Sequence, residues 1–155
     1  MINPNINPIT KEEMQQWPSQ TLVDLGEPFI DKRGSIQPLV DLMMQSAVMI
    51  NSKAGSLRAN HYHKTDWHYC YVISGEIEYF YKKVDSSKKP DLIVAHIGEM
   101  IFTPPLVEHC MKFPKDTLFL TLSRNPRDQE AYEADVVRVN LIDPKDSITW
   151  MPDEK

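Results

Sequence analysis

Three imidazoles fall within eight residues, at His61, His63 and His68. His61 and His63 are two apart, so on a strand they project from one face. After the polar break Lys64-Thr65-Asp66, His68 opens a second apolar run in which Cys70 and Val72 share its face. If the two runs pair antiparallel, the three rings meet at one point, and convergent neutral imidazoles are what a divalent transition metal needs. An imidazole near its ordinary pKa also serves as a general base near neutral pH. One nitrogen cannot fill both roles. Arg58, just upstream, carries a planar fork that binds phosphate or carboxylate oxygens bidentately; a surface or inter-strand ion pair is its ordinary alternative.

The chain that must position these groups reads as a series of short strands. Two Asn-Pro pairs within residues 1–9 oppose helix and predict an extended arm or a partner-binding strand. Thr10-Lys11-Glu12-Glu13 has the form of a capping box and Pro18 is a stop, which predicts a helix over about residues 11–17. Beyond it, short apolar runs alternate with turn residues, the texture of a β-sandwich or barrel. A hairpin is expected around Asp31-Lys32-Arg33-Gly34. Further strands are expected at 46–52, 57–63, 67–74, 76–84, 92–96, 100–103, 108–113, 117–123 and 135–141. The charged segment 124–134, with Pro126, Arg127 and Tyr132, reads as a solvated loop with a helical turn, contact with substrate or partner at the barrel mouth being the alternative, and the tail as an edge strand or strap. This divides the chain into an arm and helix (1–27), a barrel (28–142) and a tail (143–155).

By alternation Tyr69 and Tyr71 face away from His68, toward a second sheet or a dimer partner. Tyr79 and Tyr81 are candidates to line the pocket. Cys70 and Cys110 are expected as reduced, buried thiols, and His96 as a half-exposed strand residue.

A chain of 155 residues suits one domain that buries roughly 70% of its unfolded surface. Its net charge of −5, with no Lys/Arg run longer than two, leaves no track for a phosphate backbone, so no nucleic-acid partner is expected. No apolar stretch approaches the ~20 residues of a membrane span, and the expectation is a cytoplasmic protein without a membrane partner.

Written out, Gly55 to Gly75 is G-x5-H-x-H-x4-H-x6-G, and Gly98 to His109 is G-x5-P with a His five residues after Pro104. In order and spacing both resemble the two motifs of the cupin family, G-x5-H-x-H-x3,4-E-x6-G and G-x5-P-x-G-x2-H-x3-N. The resemblance spans roughly residues 28–140. It implies an all-β fold, a double-stranded β-helix or jelly-roll barrel, here with one short N-terminal helix. It also implies a divalent metal (Fe, Mn, Ni or Zn) held inside the barrel by His61, His63, His68 and His109. His68 stands where cupins usually carry Glu, so the site is either a four-His set without an anionic ligand or, with His68 turned away, a three-His set of His61, His63 and His109. Leu106 and Phe113 replace the later Gly and the Asn of the second motif.

Leu57-Arg58-Ala59-Asn60-His61 is similar to the Leu-Arg-Gly-x-His strand of the dTDP-sugar 3,5-epimerases, in which the Arg binds the nucleotide-sugar and the His is the base. Phe29-Ile30-Asp31-Lys32-Arg33-Gly34 resembles that subfamily's Phe-x-Asp-x-Arg-Gly turn. Lys83 falls where the acid partner of its His belongs, and its catalytic Tyr has no clear match. His61-Tyr62-His63-Lys64 resembles the His-x-His-Lys of the dTDP-sugar ketoisomerases. Three functions follow as expectations: a metal-dependent enzyme acting on a small polar or sugar-type substrate; a metal-independent nucleotide-sugar isomerase or epimerase with His61 or His63 as base and Arg58 on the diphosphate; or a non-enzymatic sugar-binding barrel. A homodimer is expected in each case.

Overall fold

Alternating apolar positions make strands that must bury one face, and here two antiparallel sheets do so against each other. The computed structural model describes residues 6–146. Its strands are Phe29–Asp31 (β1), Gly34–Ile36 (β2), Ser46–Ser52 (β3), Leu57–His63 (β4), His68–Ser74 (β5), Glu76–Lys83 (β6), Asp91–His96 (β7), Met100–Thr103 (β8), Val107–Lys112 (β9), Thr117–Ser123 (β10) and Val136–Arg138 (β11). β1 and β2 form the expected hairpin. The remaining strands assemble in the orders β3-β10-β5-β8 and β11-β4-β9-β6-β7, the all-β jelly roll anticipated from the motifs. β10 shows the underlying period of two, alternating buried and half-buried positions along its whole length.

One core lies between the sheets. Val72, Ile101 and Phe119 of the first sheet meet Ile77, Tyr79 and Met111 of the second, and Phe113 stacks on Phe119 with centroids 5.7 Å apart. A second core lies on the outer face of the β5–β8 pair, where Trp67, Tyr69, Met100 and Phe102 pack against Ile9, Trp17, Val23, Leu25, Leu39 and Leu42. The face of Tyr69 and Tyr71, expected to meet a second sheet or a dimer partner, is therefore covered by this chain's own N-terminal residues. Backbone bonds from Val23 N to Met100 O and from Phe102 N to Thr21 O, both 2.8 Å, lash that segment to β8.

The N-terminal helix is shorter than the sequence predicts, Lys11–Met14 (α1). Its capping box forms as read, with Thr10 and Glu13 reciprocally bonded. The chain turns immediately afterwards because Trp17 inserts into the outer core, 6.3 Å from the Trp67 ring. A second helix, Gln129–Asp135 (α2), corrects both the single-helix expectation and the reading of 124–134 as a solvated loop. Asp128 caps it by accepting from Ala131 N at 3.0 Å, and Ala131 and Asp135 are buried against the barrel. Of the arm, Ile6 is buried, and Asn7 O accepts from Arg124 Nη2 at 2.7 Å. The tail begins with a 3₁₀ turn, Pro144–Asp146. Residues 147–155, most of the expected edge strand or strap, lie outside the described residues, as do residues 1–5.

Candidate functional site: a buried imidazole cluster

The two histidine strands do not pair with each other: β4 pairs with β9 and β11, whereas β5 pairs with β10 and β8. The rings converge across the sandwich instead. His61 and His63 point inward from β4, His109 stands opposite His61 on β9, and His68 enters from β5 in the facing sheet. Ring centroids are 4.8 Å apart for His61–His63 and His61–His109, 5.3 Å for His63–His68 and 5.6 Å for His68–His109. All four residues are buried, at 8% exposure or less.

A bulge sets this geometry. Ala59 and Asn60 both adopt positive φ, 68° and 62°, and the register against β9 shifts between Ala59 and His61. Arg58 opposes Met111 and His61 opposes His109. Two residues three apart in sequence thereby face the same interior, which plain alternation forbids. Asn60 then holds the chain beyond β11 through a pair of bonds to the Ile142 backbone, at 2.8 and 3.1 Å.

Behind the rings, each Nδ1 but one has an oxygen near it. His109 Nδ1 lies 2.9 Å from Val107 O, His63 Nδ1 lies 3.4 Å from Asp135 Oδ2, and His68 Nδ1 lies 3.7 Å from Asp66 Oδ2. Such partners orient imidazoles and leave Nε2 for a ligand. Asp135 is itself pinned, accepting from Thr65 Oγ1 at 2.6 Å, Thr65 N at 2.9 Å and Asp66 N at 3.0 Å. Burial alone would raise its carboxyl, but the bonds from His63, Thr65 and Asp66 outweigh burial and hold it below its usual value. Asp66 in turn accepts from Asn125 N at 2.9 Å.

Burial, followed by the neighbouring His63 and His68, lowers the His61 imidazole from 6.5 to about 2. Burial and the surrounding imidazoles take His109 well below its ordinary value, against the opposing pull of its bond to Val107 O. Both rings are neutral at physiological pH. One ligand atom from each of His61, His63 and His109 can be chosen within 4.8 Å of one another, and likewise from His63, Asp66 and His68. The donor chemistry, buried imidazoles with oriented rings, fits a divalent transition ion, with His61, His63 and His109 as one set and His68 beside it through its neighbour His63.

The cavity these residues enclose is about 130 Å³, walled on its apolar side by Ile50, Met111 and Phe119. Arg58 borders it but spends its fork on β3, donating from Nε to Ser52 Oγ at 2.7 Å and from Nη2 to Asn51 O at 2.8 Å. Tyr79 and Tyr81 do not line it. Tyr79 donates to or accepts from Thr103 Oγ1 at 2.7 Å and packs its ring against His109, 6.0 Å away, while Tyr81 stacks on Tyr79. Both line a separate cavity of about 420 Å³, together with Lys83. Cys70 sits at the cavity wall with its Sγ 3.4 Å from Thr121 Oγ1, and burial pushes its thiol up to about 12, so it is an inert lining group. His96 is on the surface between Glu76 and Glu99, away from the cluster.

Asp66 and Asp135 belong to the site and were not singled out by sequence, while Arg127 and Tyr132 lie in the charged segment for which contact at the barrel mouth is the alternative reading, and both line the cavity. Tyr132 from α2 packs edge-on to His61 and His63, at 6.2 and 5.8 Å. The readable signal was Tyr132-x-x-Asp135, an i,i+3 pair on one helical face, obscured while the segment reads as a loop.

No protein-family model and no curated protein matches the chain. Solved structures do. A double-mutant form of the 3,4-ketoisomerase QdtA from Thermoanaerobacterium thermosaccharolyticum, in complex with TDP, is 22% identical over 72% of this chain and 82% of its own, with a TM-score of 0.59. The dTDP-4-dehydrorhamnose 3,5-epimerase of Sulfolobus tokodaii is 18% identical over 79% and 84%, TM-score 0.59. The RmlC epimerase of Mycobacterium tuberculosis is 16% identical over 80% and 70%, TM-score 0.62. The chain has the cupin-type fold of these sugar-nucleotide enzymes. Among the described residues no helix is long and apolar enough to cross a membrane.

Proposed function

We propose that this chain is a metal-dependent enzyme acting on a small polar or sugar-type substrate, with His61, His63, His68 and His109 holding one divalent transition ion, Fe, Mn, Ni or Zn. The observation that carries the reading is the cluster itself: four buried imidazoles gathered around one cavity, three of them with Nδ1 turned toward an oxygen. Imidazole nitrogens that converge on one small space offer the lone pairs a divalent ion binds. A bound ion would supply Lewis acidity or activate oxygen. Asp135 and Asp66 would orient His63 and His68, Ile50, Met111 and Phe119 supply an apolar wall, and Tyr132 offers a hydroxyl-bearing ring beside His61 and His63. Metal analysis of tag-free protein tests the reading. About one equivalent, lost in His109→Ala, is expected, and less than about a tenth of an equivalent after reconstitution overturns it.

A second reading, a metal-independent nucleotide-sugar isomerase or epimerase, is favoured by the solved neighbours, which include a ketoisomerase bound to TDP-4-keto-6-deoxyglucose. His63, backed by Asp135, would be the base, because a ring held near 2 makes His61 a poor one. Tyr132, beside His61 and His63, would be the candidate acid, and Arg58, occupied on β3, would have to release Ser52 and Asn51 to reach a diphosphate. Turnover of TDP-4-keto-6-deoxyglucose by chelator-treated protein, abolished in His63→Asn, selects this reading; turnover only with metal, or none, rejects it.

A further inference from the structure

Of the five arginines, three pair with carboxylates, Arg33 with Asp31, Arg124 with Glu13 and Arg138 with Glu133, and Arg58 bonds to β3. Arg127 does neither: among the described residues its guanidinium has no carboxylate or hydrogen-bond acceptor. Its Cζ lies 4.5 Å from the centroid of the Tyr132 ring, and both side chains line the imidazole cavity. The backbone on either side of Arg127 is anchored. Asn125 donates from its N to Asp66 Oδ1 and from Nδ2 to Thr65 Oγ1, each at 2.9 Å, and Asp128 caps α2.

A guanidinium held over an aromatic ring by its charge still has N–H groups for a planar, bidentate oxyanion. The nearby carboxylates already have donors, Asp135 in Thr65 and the backbone N of Asp66, and Asp66 Oδ1 in Asn125 N, and among the described residues neither is paired with Arg127. We propose that Arg127, supported by Tyr132, binds a carboxylate or phosphate of the substrate at the cavity mouth, so that the substrate is a small anion whose reacting part enters the space of about 130 Å³ among the histidines. This deepens the metal-enzyme reading by naming a substrate class, and rests on that reading only for where the reacting part sits.

The test is calorimetric titration of the full chain with malonate and with inorganic phosphate at low ionic strength, in wild type, Arg127→Gln and Arg127→Lys, with metal content and thermal unfolding measured on each. Saturable binding of at least one anion is expected, weakened about tenfold or more in Arg127→Gln and less in Arg127→Lys, at unchanged metal content and melting temperature. Preference for malonate assigns a carboxylate and preference for phosphate a phosphoryl group. Equal affinity in Arg127→Gln, or no binding of either anion by wild type, overturns the proposal. Arg127-dependent binding in a protein that takes up no metal leaves it standing and overturns the metal reading instead.

Discussion

A buried imidazole that stays neutral in the native state makes stability depend on acid. His61 and His109 are both depressed, His61 from 6.5 to about 2. As pH falls below 6.5 the unfolded chain takes up protons that the native chain refuses, so stability is lost across the window between the two values. Each ring contributes up to about 1.4 kcal/mol per pH unit there. Urea midpoints of metal-free protein should therefore fall steadily from pH 7 to pH 4.5, and His61→Asn should flatten the slope. Asp135 acts in a separate window. Its carboxyl is held below its usual 3.8, so its contribution is intact above that value and disappears only as pH drops below it. Its larger effect is on orientation: Asp135→Asn leaves His63 without an anionic partner and should weaken metal binding about 10–100-fold, read by competition with a chelator.

At the scale of elements, two turns show how the motif glycines are used. Gly75, at φ +88°, closes the β5–β6 turn, and a Cβ there would meet Asp116 O and Thr117 Oγ1 at 2.4 Å. Gly75→Ala should cost about 2–4 kcal/mol, from left-handed strain plus overpacking, in equilibrium denaturation. Leu106, at φ 60°, occupies the position where the second motif carries glycine. The backbone has kept the left-handed turn while the residue type has changed, and the side chain is exposed. Leu106→Gly should be neutral or stabilising by up to about 1 kcal/mol in the same assay, because relief of that strain outweighs the added freedom of the unfolded chain. The turn also serves the site directly: Leu106 N donates to His63 O at 2.9 Å, tying the second motif to the first.

Across the whole molecule, the segment from Ile9 to Met44 closes the outer core. Glu13 fastens it by accepting from Trp67 Nε1 at 2.6 Å and pairing with Arg124. Trp67 immediately precedes His68, so the same latch buttresses the strand that delivers the fourth imidazole. Removal of residues 1–27 should uncover Trp67, Tyr69 and Phe102, each worth about 1.5–3 kcal/mol of burial. The expected result is a protein that binds a hydrophobic dye strongly and aggregates, checked by dye fluorescence and sedimentation. A soluble, cooperatively folding truncation would show that the outer core is dispensable.

By itself the sequence determined the strands, the two motif turns and the identity of the four histidines, because strand alternation and left-handed glycine turns are local properties of a few neighbouring residues. His61, His63 and His68 stood out by spacing, and His109 joined them through the resemblance of the second motif to that of the cupins. Only the tertiary structure decided how they meet: across the sandwich rather than along one hairpin, since pairing partners such as β4 and β9 lie far apart in the chain. The bulge at Ala59 and Asn60, which turns Arg58 and His61 to one side, is a register shift against β9 and exists only once the sheet has formed. Asp135 and Tyr132 reach the cluster on α2, and Arg127 from the loop just before its N-cap, all beyond the last motif residue. Their chemistry was written in the sequence, but their proximity to the imidazoles is a consequence of long-range packing.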